Sequence, residues 1–166
     1  MEHSDRSSSR RVRQLLLDWC GRRDALAFQG IVQRHGGMVF RTSLRILNDR
    51  AEAEDATQEC FEALVSVGEV SHIRSLGAWL HGMATNRSLN RIRSSSRRVE
   101  REKRYVEESG NDEERMAWEE IYPFVDEAIL SLDARYRDPI VAHFLSGQTH
   151  AAIAKNLQVS RRTVAN

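Results

Sequence analysis

The chain has little cysteine and little proline, and no long apolar run. Cys20 and Cys60 stand far apart and without a metal-ligand spacing, which argues against both a disulfide framework and a zinc site. A reducing compartment, the cytoplasm, is expected. Two prolines and scarce β-branched alternation argue against a sheet-rich fold, and apolar residues recur at helical spacing throughout. The expected fold class is all-α. No apolar stretch approaches the roughly 20 residues a membrane helix requires, so no membrane insertion is expected. The Ser- and Arg-rich start lacks the apolar core of a secretory signal. His3, His35, His72, His81, His143 and His150 are scattered, with no HExxH pattern, and there is no glycine-rich phosphate loop. Nothing supports a hydrolase or a metal enzyme. The reading is of a non-enzyme with no catalytic residue, no cofactor and no metal.

What is present is organised by charge. The formal net charge of the 166 residues is only +1, but the charges are blocked. Residues 93–104 carry Arg93, Arg97, Arg98, Arg101, Lys103 and Arg104 against Glu100 and Glu102. Residues 107–120 reverse the sign, with Glu107, Glu108, Asp112, Glu113, Glu114, Glu119 and Glu120 against Arg115. This stretch, poor in apolar residues, is the candidate linker at 98–117. It divides an N-terminal extension, 1–24, and a front helical domain, 25–97, from a rear helical domain, 118–166.

In the front domain, Asp24 is a candidate N-cap, Gly36-Gly37 a candidate kink or break, and Asp49-Arg50 a turn. Residues 51–67 place Ala53, Ala56, Cys60, Ala63, Leu64 and Val67 on one helical stripe. Glu52, Asp55, Glu59 and Glu62 follow at spacings of three, four and three and form an acidic stripe beside it. A loop over 68–75 precedes a helix from Leu76 to about Arg93. Trp79, Met83, Asn86, Asn90 and Arg93 fall on one face of that helix. The face is apolar at its start and becomes a row of amides and a guanidinium, with Arg87 and Arg91 flanking it. An aromatic beside amides and basic groups suits unstacked bases and phosphates; for Trp79 itself a core position is favoured.

In the rear domain, Ile121, Val125, Ala128, Ile129 and Leu132 read as one core face. Asp138-Pro139 is expected to open a helix with Ile140, Val141, Phe144 and Leu145 buried, ended by Gly147. The last twenty residues carry the most information. Ala151, Ile153, Ala154 and Leu157 give a short helix a face. Gln158-Val159 makes a turn with Val159 buried, Ser160 caps a second helix, and Val164 points inward. Arg161, Arg162, Thr163 and Asn166 then face outward at the helix start, where a helix-turn-helix presents side chains to the major groove. Arginine reads guanine bidentately and asparagine reads adenine. The sequence stops early in this helix, and a truncated recognition helix is expected.

Two groups of residues carry a family likeness. The first comprises Arg34-His35-Gly36-Gly37-Met38-Val39, Ala53-Glu54-Asp55-Ala56-Thr57-Gln58-Glu59-Cys60-Phe61 and Ser75-Leu76-Gly77-Ala78-Trp79-Leu80-His81-Gly82-Met83-Ala84-Thr85-Asn86-Arg87. With these, residues 28–93 resemble region 2 of bacterial sigma factors of the extracytoplasmic-function (ECF) group. The second comprises Leu130-Ser131-Leu132, Arg135-Tyr136-Arg137 and Val159-Ser160-Arg161-Arg162-Thr163-Val164. With these, residues 121–166 resemble region 4 of the same group. The family's common Glu in the first helix of the region 4 motif is Ala152 here.

The resemblance implies a non-enzymatic promoter-recognition factor for core RNA polymerase. Region 2 of such factors docks on the β′ clamp helices and captures flipped bases of the −10 element; region 4 binds the β flap and reads the −35 element. The implied polymerase-facing residues are Glu52, Asp55, Gln58, Glu59 and Glu62. The implied −10 residues are His72, Arg74, Asn86, Arg87, Asn90, Arg91 and Arg93, and the implied −35 residues are Ser160, Arg161, Arg162, Thr163 and Asn166. Implied partners are core polymerase, promoter DNA and an anti-sigma factor or other regulator. Two alternatives are a polymerase-independent helix-turn-helix regulator, and an interaction protein that occupies polymerase or sigma without reading DNA.

Overall fold

A computed structural model describes residues 14–68, 70, 73–103 and 113–165, with backbone alone for 96–103, 113–120, 122 and 165. The described residues are helical, without a strand. Residues 14–22 form helix α1, followed by α2 (Ala25–Leu47), α3 (Arg50–Ser66) and α4 (Leu76–Lys103). The rear half comprises α5 (Glu113–Ser131), α6 (Ala134–Ile140) leading into a π turn (Val141–Leu145), α7 (His150–Asn156) and α8 (Arg161–Ala165).

Local chemistry sets most boundaries. Asp24 caps α2 by accepting from the backbone N–H of Leu26 at 2.9 Å, and Asp49 caps α3 by accepting from Glu52 at 2.9 Å. Such caps satisfy donors that have no partner inside the helix. Asn48, at φ +49°, ends α2 with its N–H on Leu44 O. No break occurs at Gly36-Gly37, and α2 runs through both glycines. Each costs about 1 kcal/mol against alanine in a helix. Burial of Ile31, His35, Met38 and Val39 around them holds the helix continuous.

The front core joins Leu16 of α1, Ile31, Met38 and Val39 of α2, Cys60, Phe61 and Leu64 of α3, and Leu76, Leu80 and Ala84 of α4. Part of the stretch expected to be an N-terminal extension thus contributes a core residue; residues 1–13 of it lie outside the described residues. Ala53 and Ala56 are fully buried on α3, and their small side chains let neighbouring helices approach closely. Phe61, which the expected stripe omitted, is buried as well. The charged linker candidate is helical at both ends, since α4 reaches Lys103 and α5 begins at Glu113. Residues 104–112 lie outside the described residues.

The rear half departs most from expectation. Asp138-Pro139 does not open a helix. Asp133 caps α6, accepting from Arg135 N–H at 3.0 Å, and Pro139 sits inside α6. Proline has no N–H to give to the carbonyl four residues back, and after it the bonding widens to the π pattern, with Ser146 N–H reaching Val141 O at 3.0 Å. Ile121, Val125, Leu132 and Phe144, expected in the core, are exposed, Phe144 to 75%. The described α5 residue that is fully buried is instead Asp126. The helix turns Asp126 and Glu127, with Leu130, toward α2 and α4, so packing overrode the apolar pattern.

Candidate nucleic-acid interface

On α4, Trp79 and Met83 pack against the front core, as favoured for Trp79, while Asn86 and Asn90 are exposed further along the same face. Arg87 and Arg91 turn toward α3. Arg87 Nη1 donates to Glu59 Oε2 at 2.8 Å, and Arg91 Nη2 donates to Glu59 Oε1 at 2.6 Å. Arg91 Nη1 also donates to Glu52. Partial burial pushes the Glu59 carboxyl up, but the hydrogen bonds and charges of Arg91 and Arg87 outweigh it and hold the group below its usual range. One carboxylate therefore fixes two arginines with charge-assisted bonds. Arg93, at the end of the same face, donates to Glu127 of α5 at 3.1 Å. Arg74 is exposed ahead of α4, whereas His72 lies outside the described residues.

These contacts divide the acidic stripe. Glu52 and Glu59 turn toward α4, while Asp55, Gln58 and Glu62 are exposed and Gln58 donates to Glu62 at 2.7 Å. Gln58 and Glu62 edge an open groove of about 480 Å³ between α2 and α3, with Phe28, Val32, Phe40 and Phe61 among its lining. Gly36 also lines it, so the expected break point serves as a wall without a side chain. An apolar trough beside a row of polar and acidic groups has the anatomy of a protein-binding surface, with an apolar centre and a polar rim.

At the rear, Thr149 caps α7 through Ala152 N–H at 3.3 Å. Ala152, Ile153 and Ala154 are buried, whereas Ala151, expected inward, is exposed. Gln158 at φ +56° makes the turn to α8. Asparagine and aspartate tolerate this left-handed region better than glutamine does, so the sequence carries only a weak signal for it. Val159 N–H bonds to Ala154 O at 2.9 Å, but its side chain is 41% exposed rather than buried. Ser160 Oγ accepts from Thr163 N–H at 3.1 Å, the expected cap. Arg161, Arg162 and Thr163 all face solvent at the start of α8, and Val164 is half-buried. Asn166 lies outside the described residues.

The sequence reading missed a second constellation. Asp126 of α5 is 0% exposed and takes both donors of the Arg45 fork, Nε at 2.9 Å and Nη2 at 2.7 Å. It also lies 2.8 Å from Nε2 of fully buried His81. Burial raises its carboxyl, but hydrogen bonds from His81 and Arg45 prevail and hold it below the ordinary value. Among these residues only Arg45, whose side chain is 26% exposed, reaches water. The three come from positions 45, 81 and 126, and no sequence spacing signals such a cluster. Among the described residues no three His, Cys, Asp or Glu side chains converge as a metal site requires, and no helix is long and apolar enough to cross a membrane.

Comparison with known proteins agrees with this layout. Residues 31–98 match the family Sigma-70 region 2, and residues 125–166 match Sigma-70, region 4. The ECF RNA polymerase sigma factor SigL of Mycobacterium tuberculosis is 27% identical over 147 residues, 85% of this chain and 82% of that protein. The ECF RNA polymerase sigma factor SigW of Bacillus subtilis is 35% identical over 71 residues, 42% of this chain, and the match spans 38% of its length. Two helical modules in this order, one with amides and arginines over an acidic stripe and one ending in a capped helix-turn-helix, place the chain in the extracytoplasmic-function group of the sigma-70 family of RNA polymerase sigma factors.

Proposed function

We propose that this sigma factor docks on core RNA polymerase through the α2–α3 groove, with Gln58 and Glu62 in its lining, and through exposed Asp55 on the same helix. Glu52 and Glu59 of that helix hold Arg91 and Arg87 in place. The observation that carries the reading is the bidentate use of Glu59, which ties the polymerase-facing helix to the DNA-facing helix as one rigid plate. On its open face, Asn86, Asn90 and Arg93, with Arg74 and His72 from the preceding loop, meet the opened −10 strand. Arg87 and Arg91, paired with Glu59 and Glu52, brace that face from behind. Unstacking a base costs a few kcal/mol, and amides, guanidinium groups and the partly buried Trp79 beside them supply contacts that offset it. Ser160, Arg161, Arg162 and Thr163, continued by Asn166, read the −35 duplex. The exposed apolar residues of the rear module meet the β flap or an anti-sigma factor. The site of action is the cytoplasm, with polymerase and the chromosome.

The test is a double charge reversal, Asp55→Arg with Glu62→Arg. Neither residue pairs with α4, so the fold is expected to survive while binding to core polymerase is lost. Wild-type affinity of that variant for the β′ clamp helices would overturn the docking assignment.

A further inference from the structure

The Arg45–Asp126–His81 cluster joins two modules that promoter recognition must separate. Asp126 and its neighbours belong to the region 4 match, whereas Arg45 and His81 belong to the region 2 match. The cluster does not stand alone. Glu127, next in sequence, takes Arg93, and Leu130 lies over Gly82, where an added Cβ would stand 3.1 Å from its Cδ1. Beyond the π turn, Ser146 Oγ would lie 3.5 Å from a Cβ at Gly77, and Leu145 packs against the front core. Two glycines of α4 thus let the rear module seat closely against it.

The chemistry of this seat is unusual for a permanent interface. On α5 the inward position is an acid and several apolar side chains point out, among them Phe124 at 68% exposure. A contact made by an acid on arginine and histidine can be replaced by water when the surfaces part. The exposed apolar residues stay available to another protein in either state. The front module's groove between α2 and α3 remains open while α5 is seated on α2 and α4. The −10 and −35 elements, by contrast, are about 25 base pairs apart, roughly 80 Å of duplex at 3.4 Å per pair. Modules in side-chain contact cannot span that length.

We propose that the Arg45–Asp126–His81 cluster is a latch that holds the free sigma factor closed. Polymerase engages the open groove first, and the latch must break before the rear module can reach its own contacts. The proposal rests on the sigma-factor reading above. Closure leaves the groove accessible but withholds the rear module's contacts from all except the open fraction of molecules, so a chain open about one-tenth of the time makes the full two-module engagement about ten-fold more weakly than its unlatched form.

The experiment compares the full wild-type chain with Asp126→Asn by small-angle scattering and by titration with core polymerase. Asp126→Asn is expected to enlarge the radius of gyration by several ångströms and to tighten polymerase binding about ten-fold. Circular dichroism checks helicity; if Asp126→Asn loses helix, Arg45→Gln, which removes the partner that already reaches water, carries the same expectation. A helical variant as compact as wild type overturns the latch. So does expansion with no gain in affinity, or a gain with no expansion. Failure of wild-type chain to bind polymerase at all would instead refute the functional reading, and scattering alone would then decide whether the cluster holds the modules together.

Discussion

The front and rear modules are both helical, yet they bury different things. In the front module Ile31, Val39, Ala53, Ala56, Cys60, Leu64, Leu80 and Ala84 are completely excluded from water. In the rear module Val141 reaches that state and Ile153 nearly does, while Ile121, Phe124, Val125, Tyr136 and Phe144 stay exposed. The front module is a self-contained apolar core. The rear module is a set of caps and turns that borrows burial from its neighbour through Asp126 and Leu145, and it leaves apolar surface for others. Self-sufficiency in one and dependence in the other suit the proposed latch, in which the front half stays rigid while the rear half leaves it.

The largest effect that would sharpen this contrast is expected from Leu64→Ala. Truncating a fully buried leucine costs about 2–5 kcal/mol through lost transfer energy and the cavity left behind. Chemical denaturation should show that loss. The exposed Phe144→Ala should cost far less; an equal loss at both positions would erase the distinction between the modules.

Acid should act next, and on the front module. Burial, aided by the charge of Arg34, pushes His35 down to about 4, and neither ring nitrogen finds a hydrogen-bond partner. The unfolded chain titrates near 6.5, so it binds a proton more readily than the folded one. The stability from neutral His35 is therefore complete above about pH 6.5 and is lost as pH falls toward 4. The shift is worth about 3 kcal/mol in all. Denaturation midpoints measured between pH 7 and pH 4 should fall in wild type. They should fall less in His35→Gln; identical slopes would remove His35 as the cause.

A functional substitution comes third. Asn86→Ala should leave stability and polymerase binding unchanged and weaken open-complex formation about ten-fold, the scale of one lost base contact. Loss of polymerase binding in that variant would break the division of labour between α3 and α4. The smallest effect is expected at Ser160→Ala. Removing an N-cap costs about 1 kcal/mol, confined to the start of α8. Amide exchange at Thr163 should quicken while the front module keeps its protection.

Much of this was legible in the sequence because it is local. Asp24 and Ser160 cap the helices that follow, as their sequence positions suggest; Asp49, read as part of a turn, proves to be a cap as well, and the caps Asp133 and Thr149 were not read. A cap needs only a short polar side chain a few residues from a free N–H. The exposed Arg161, Arg162 and Thr163 follow from their place after Ser160. The acidic stripe was legible as a stripe, but its division was not. Whether Glu59 meets solvent or Arg87 depends on how α4 lies across α3. Helical spacing likewise put Ile121 and Val125 on the inner face of α5, because period alone cannot say which face meets a neighbour.

The sequence alone determined the helical class, the capped starts at Asp24 and Ser160, the two modules in their order and the exposure of Arg161, Arg162 and Thr163. All of these depend on groups a few residues apart, where backbone geometry leaves little freedom. Only the tertiary structure decided that Asp126 goes inward, that Arg45 and His81 receive it, that Glu59 serves two arginines and that a groove opens beside Gly36. Those outcomes arise where distant segments meet, and there the cost of burying a charge depends on which partner happens to face it.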